Sequence, residues 1–170
     1  MKIFRLIIIS VIILFTIVTL ISFLVPSRIR ISKAINIKAE PVNIFGYIEN
    51  LSKWQEWHPA FISSSQKKIE NIDSINGKIN KLVVDGTLIK LKTTDLNKIV
   101  FEIEVQDKNP VINEWFISGS PAPGLQTLHG SMEFKLRWYP WEKFSSLFFE
   151  NIYGDQLQKG LNNLKLVSEQ

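Results

Sequence analysis

The sequence has no cysteine, only two histidines and no long basic tract among its 170 residues. Without cysteine there is no disulfide framework and no thiolate to serve as nucleophile or ligand. His58 and His129 lie far apart, so no metal-ligand spacing exists and no metal is expected. No Gly-x-Gly-x-x-Gly or P-loop is present, and no Gly-x-Ser-x-Gly elbow frames a serine. These absences argue against familiar dehydrogenase, kinase and hydrolase chemistry, and no cofactor is expected. The net charge of +4 gives a pI near 9.3, but Lys2 and Arg5 supply half of that charge. No basic stripe is interleaved with aromatics, so nucleic acid is not an expected partner. Internal repeats and low-complexity segments are also missing.

One feature is abundant. From Leu6 to Val25 the chain runs for 20 residues without a charge, and its only polar members are Ser10, Thr16, Thr19 and Ser22. About 20 apolar residues at 1.5 Å each cross a ~30 Å hydrocarbon core. The alternative is a cleaved signal peptide, whose apolar region is about 7–15 residues and ends in a small-x-small site. Here the run ends Phe23-Leu24-Val25-Pro26. The expected organisation is therefore an uncleaved transmembrane anchor over 1–27 and one domain over 28–170. Lys2, Arg5 and the terminal amine precede the span; Arg28, Arg30, Lys33 and Lys38 follow it. That small excess leans toward a cytoplasmic domain.

Residues Arg28–Ala39 alternate, with Ile29, Ile31, Ile35 and Ile37 in one phase, and predict a strand. Lys33 breaks the apolar phase; its stem can cover apolar surface while the amine reaches water. Pro41 opens a helix with Ile44, Phe45, Ile48 and Leu51 at helical spacing. A second short helix over Ser52–Trp57 takes Ser52 as N-cap and ends at His58-Pro59.

Strands are predicted at Lys67–Ile75, Lys78–Asp85, Thr87–Thr93, Lys98–Gln106, Val111–Ser118 and Leu125–Trp138. Asn76-Gly77 and Asp85-Gly86 supply turn signals, and Gly119–Gly124 a loop. Ile99, Phe101 and Ile103 share one face of their strand; Leu128, Met132, Phe134, Leu136 and Trp138 share one of theirs. Short turns between consecutive strands imply an antiparallel meander. Trp141–Ile152 reads as helical. After Gly154, Asp155 caps a last helix with Leu157, Leu161 and Leu164 inward, the available cover for the sheet.

Four pieces carry a family resemblance. They are the first strand running into Ala39-x-Pro41 with Ile44-Phe45 and Ile48; Leu51-x-x-Trp54-x-x-Trp57-x-Pro59; the final strand ending Trp138-Tyr139-Pro140-Trp141; and Gly160-Leu161-x-x-Leu164-Lys165. Together they span almost all of 28–166. This pattern resembles the START-like (SRPBCC, helix-grip) superfamily, and within it the membrane-anchored polyketide cyclase/dehydrase-like proteins.

The resemblance implies an α+β helix-grip fold. A curved antiparallel sheet of six or seven strands surrounds a long C-terminal helix, with two short helices after the first strand and the transmembrane helix in front. It implies a cavity between sheet and helix that holds an apolar small molecule or lipid. Family members include enzymes, carriers and chaperone-associated domains, and no catalytic motif carries over, so fold alone does not settle function.

The cavity candidates are Trp54, Trp57, His58, Phe101, Ile103, Glu114, Trp115, Met132 and Phe134. Trp54 and Trp57, three apart, share one helix side and read first as core. His58 reads first as structural; its functional reading puts it at a cavity mouth. The strand 111–118 has two possible phases. One turns Asn113 and Trp115 inward, the other Glu114; an inward carboxylate in an apolar pocket has a raised pKa and serves as an acid. His129, Glu102 and Glu104 read as solvated. At the corner Trp138–Phe144, four aromatics and a lysine either close the core or sit at a membrane interface, where Trp and Tyr are favoured. The functional readings are a membrane-tethered binding domain without catalysis, a cyclase- or dehydratase-like enzyme on such a ligand, and a protein-interaction module.

Overall fold

The computed structural model describes residues 2–62, 69–75, 78–119 and 124–170. Helix α1 (Lys2–Ser22) takes in the uncharged run as far as Ser22, with Phe23–Val25 in the turn that follows, and its side chains from Ile3 to Ile17 are exposed. Thr16 and Thr19 turn their hydroxyls back to the carbonyls of Ile12 and Phe15, both at 2.8 Å, so neither leaves a polar group unpaired. The helix is long and apolar enough to cross a membrane.

Strand β1 (Arg28–Ile37) leads to α2 (Pro41–Glu49), a 3₁₀ turn (Leu51–Lys53) and two single-turn helices, α3 (Trp54–Trp57) and α4 (Pro59–Ile62). The cap of this second unit is Asn50 and not Ser52: the Asn50 Oδ1 accepts from the Ser52 amide at 3.1 Å and from its hydroxyl at 2.8 Å. His58 does end α3, but Pro59 then starts another turn, as its missing N–H allows.

A meander follows: β2 (Ile69–Ile75), β3 (Lys78–Val84), β4 (Thr87–Asp95), β5 (Lys98–Glu104), β6 (Val111–Gly119) and β7 (Gln126–Lys135). The described residues form one seven-stranded sheet in the order β1-β7-β6-β5-β4-β3-β2, antiparallel throughout. The Asp85-Gly86 turn has positive φ at both residues, 48° and 77°, as a tight hairpin requires. The expected Asn76-Gly77 turn and most of the Gly119–Gly124 loop lie outside the described residues.

The C-terminal segment departs from expectation. Helical backbone runs from Pro140 to Ser168 through α5 (Pro140–Ser145), a 3₁₀ turn (Ser146–Phe148), a π-helical turn (Glu150–Gly154) and α6 (Asp155–Ser168). Gly154 does not break it and Asp155 does not cap it; both have right-handed helical φ and ψ. Strand β1 meets the helix at this point. Lys33, in the inward phase of that strand, reaches Glu150 at 2.7 Å, and a Cβ at Gly154 would come within 3.3 Å of the Lys33 Cε. Gly154 leaves room for that stem.

The core lies between the inner sheet face and α6, with α2–α4 closing one side. Ile37, Ile99, Phe101, Trp115, Leu128, Leu161 and Leu164 are buried there, each 0–1 % exposed. Gly130 pairs with Trp115 across β6 and β7, and a Cβ on it would fall 2.7 Å from the Trp115 ring. Near the end of α1 a smaller cluster gathers Ile31, Phe134 and Leu136 with Phe149 and Tyr153.

Candidate functional site

The register decides which strand positions meet the helix. Asn113 pairs with Phe101 and Met132, and Trp115 with Ile99 and Gly130, so these share the inner face. Glu114 pairs with Val100 and Ser131 on the outer face. There it bonds Arg30 and Lys98, each at 2.7 Å. Glu114 is therefore not a cavity residue, which corrects its place among the candidates. Partial burial alone pushes its carboxyl up, but hydrogen bonds from Lys98 and Arg30, with their charge, outweigh that and hold it below the ordinary value. The alternation in β6 left both phases open; the large apolar residue Trp115 took the interior, and Asn113 followed it by two.

A cavity of about 240 Å³ lies between the inner face, α3–α4 and the start of α6. Five candidates line it: Trp54, His58, Ile103, Trp115 and Met132. Trp57 and Phe101 are fully buried among the rings behind that wall; Trp57 meets Trp115 edge-on with centroids 5.5 Å apart, and Phe101 meets Trp54 at 4.9 Å. Phe134 sits elsewhere: it lines a separate groove of about 340 Å³ beside α5, because two residues along β7 moves a side chain from the cavity to the next cluster. Tyr153 borders both spaces.

The cavity wall is mostly apolar, with polar groups at a few points. Asn113 is buried; its Oδ1 accepts from the Trp115 indole and its Nδ2 donates to the Ser131 carbonyl at 3.4 Å. His58 stacks on Trp54 with ring centroids 4.8 Å apart, and its Nδ1 accepts the Ala60 amide at 3.3 Å, which in a neutral ring puts the proton on Nε2. Asp85, Thr87 and Gln156 complete the polar lining. The two helix tryptophans donate to main-chain carbonyls, Trp54 to Ile48 at 2.8 Å and Trp57 to Tyr47 at 3.1 Å. These bonds orient the indoles and hold α3 against α2.

Residues such as Phe61, Tyr153, Gln156 and Leu157 also line the cavity without having been candidates. Leu157 was legible as an inward helix position. The contributions of Tyr153 and Gln156 depend on the π-helical turn, which no sequence pattern signals. His129 lies on the outer face, stacked on Phe116 and within 2.9 Å of the Ser118 hydroxyl. Glu102 and Glu104 are on that face too, joined by Lys90. Among the described residues no cluster of His, Cys, Asp or Glu has the grouping of a metal site.

A START superfamily protein from Mycobacterium smegmatis superposes with a TM-score of 0.60 at 13% identity, over 82% of this chain and 97% of that one. The Zhui aromatase/cyclase from a Streptomyces species gives 0.61 at 13% identity, over 84% and 94%. The fold is START-like. The two-domain aromatase/cyclase StfQ of the steffimycin biosynthetic pathway matches at 0.60 and 10% identity, over 84% of this chain and 51% of that protein. No family model and no curated protein sequence matches the chain. The START-like likeness thus rests on three-dimensional arrangement: a seven-stranded antiparallel sheet closed around a C-terminal helix, with a cavity between them.

Proposed function

We propose that residues 28–170 are a binding domain for an apolar small molecule or lipid-like chain, tethered to a membrane by residues 1–27. The observation that carries this reading is the cavity walled by Trp54, Ile103, Trp115 and Met132, with a few fixed polar groups among them. Such a lining extracts an apolar ligand from water and orients it by its polar end. At about 240 Å³ the cavity is just below the ~300–1,000 Å³ range of ordinary ligand pockets. It therefore suits a compact ring system or a single chain better than a whole two-chain lipid. START-like folds accommodate small apolar ligands in general, which supports the class of ligand and leaves its identity to experiment.

The test is extraction of the full chain, purified from membranes in mild detergent, followed by mass spectrometry. An apolar molecule in near-equimolar amount is expected, reduced in Met132→Trp, which fills cavity space. Its absence from the wild type, or equal recovery from both proteins, would overturn the reading. Catalysis on the bound molecule is the second reading, favoured by the presence of His58 in the wall. A product that differs from the added ligand, formed by the wild type and not by His58→Ala, would establish it. The tether is tested separately: the full chain stays with the membrane pellet through carbonate washing, whereas a mature form starting near Arg28 would remove the anchor.

A further inference from the structure

The loose end of the molecule is the aromatic corner at the start of the C-terminal helix. Trp138, Trp141, Leu147 and Phe148 are each about 60 % exposed, 59 %, 63 %, 63 % and 63 %. Of the two readings of the corner Trp138–Phe144, closing the core does not hold for Trp138 and Trp141, while Tyr139 and Phe144 are half-buried. They surround α5, and α5 packs against the end of α1. The last turns of α1 are the part of that helix the domain covers: Val18 and Thr19 are half-buried and Ser22 is fully buried.

Lys143 makes this junction specific. It is only 4 % exposed, and its ammonium donates to the Val25 carbonyl at 2.7 Å. A lysine buried beside apolar residues needs such a partner. Val25 lies three residues beyond the end of α1, so Lys143 pins α5 to the turn that follows that helix.

The uncharged run Leu6–Val25 spans about one hydrocarbon thickness of ~30 Å. Val18 to Ser22 at the end of α1, and the turn Phe23–Val25 after it, then occupy the domain-side end of that span. Whatever packs against that stretch lies at the boundary between acyl chains and headgroups.

We infer that the α5 corner, Trp138 to Phe148, is a second membrane contact that lies in the interface layer of the leaflet from which the domain emerges. The reading rests on the anchor proposed above and commits to lipid as the partner of this patch. Tryptophan suits that depth because its ring is apolar and its N–H polar. Arg28, Lys135 and Arg137 are exposed beside the corner, Arg137 held by Glu142 at 2.9 Å and Arg28 near Glu133 at 3.8 Å, and exposed cations at this level are drawn to an anionic headgroup layer. Two contacts, one spanning and one interfacial, hold the domain in a single orientation. The groove bordered by Trp141, Phe149 and Tyr153 then opens beside lipid, with Tyr153 shared between it and the cavity.

The chain's own composition supplies the probe. Residues 1–27 contain no tryptophan; of the five in the chain, Trp54, Trp57 and Trp115 are buried, at most 1 % exposed. Full-length protein is reconstituted in vesicles of phosphatidylcholine and phosphatidylglycerol, with bromine placed on the acyl chains near the headgroup or near the chain end. Tryptophan fluorescence should be quenched, more strongly by the shallow bromine. That quenching should be lost in the Trp138→Phe/Trp141→Phe double variant and weakened in Phe148→Glu, with circular dichroism unchanged. Co-flotation with vesicles reports the anchor independently of the corner. Flotation without quenching would overturn the inference and leave the anchor standing; failure to float would overturn both. A second copy is the other possible occupant. In a chain without cysteine, a Phe148→Cys variant that forms a disulfide dimer in the vesicles while wild-type quenching is absent would assign the patch to that copy.

Discussion

Two aromatic groups, one walling the cavity and one at the separate groove beside α5, are built differently. Around α3, Trp54, Trp57, His58 and Phe61 interlock with Phe101 and Trp115, and every indole N–H there has a protein acceptor. At the α5 corner, Tyr139 stacks on Trp141 with centroids 4.9 Å apart, but the indoles of Trp138 and Trp141 find no acceptor among the described residues. A buried indole left unpaired would cost ~1–3 kcal/mol, so the first group must be satisfied internally. The second group leaves its rings exposed. Similar composition has thus been spent on a rigid wall in one place and an outward surface in the other.

Substitutions should separate the two groups, and the largest effect belongs to the wall. Trp115→Ala removes the ring that fills the space over Gly130 and should destabilise the domain by ~3–5 kcal/mol, read from chemical denaturation of the full chain in detergent. Trp141→Ala in the same assay should stay within ~0.5 kcal/mol. Equal losses would erase the distinction. Next comes Gly130→Ala, whose Cβ would overlap the Trp115 ring. Overpacking of that kind costs ~1–3 kcal/mol, and thermal melting would expose it. Combining it with Trp115→Leu should recover part of the loss.

The outer face gives a smaller, pH-dependent contrast. Glu114 has a depressed carboxyl pKa in the folded protein because Lys98 and Arg30 outweigh its desolvation. Its contribution is therefore complete above the ordinary value near 4.5 and is lost as pH falls through the depressed folded value. Its partners are substantially exposed, so the effect should be at most about 1 kcal/mol. Glu114→Gln should be less stable than wild type at neutral pH and converge with it in acid. A gap that persists unchanged in acid would contradict the ion-pair account. The same variant should leave affinity for a cavity ligand unaltered, since the sheet stands between them. His58→Ala should change that affinity by less than about tenfold, or ~1.4 kcal/mol, in a direct binding titration.

Much of this was legible in residue order, because period and length are local properties. The alternation at Ile99, Phe101 and Ile103 named an inner face, and Pro41 and the Asp85-Gly86 turn marked boundaries. The uncharged run from Leu6 to Val25 is enough by itself to make a membrane-length helix. Residue order could not choose between Asn113 and Glu114, since two strand phases differ only in what lies across from them. Pairing with β5 and β7 decided that, and with it whether a carboxylate or an amide faces the cavity. Nor could it foresee that helix continues through Gly154, where the stem of Lys33 arrives from β1, more than a hundred residues earlier. The exposure of Trp138 and Trp141 was likewise a tertiary outcome. Aromatics are usually covered, and these remain exposed where Lys143 fastens α5 to the turn after α1.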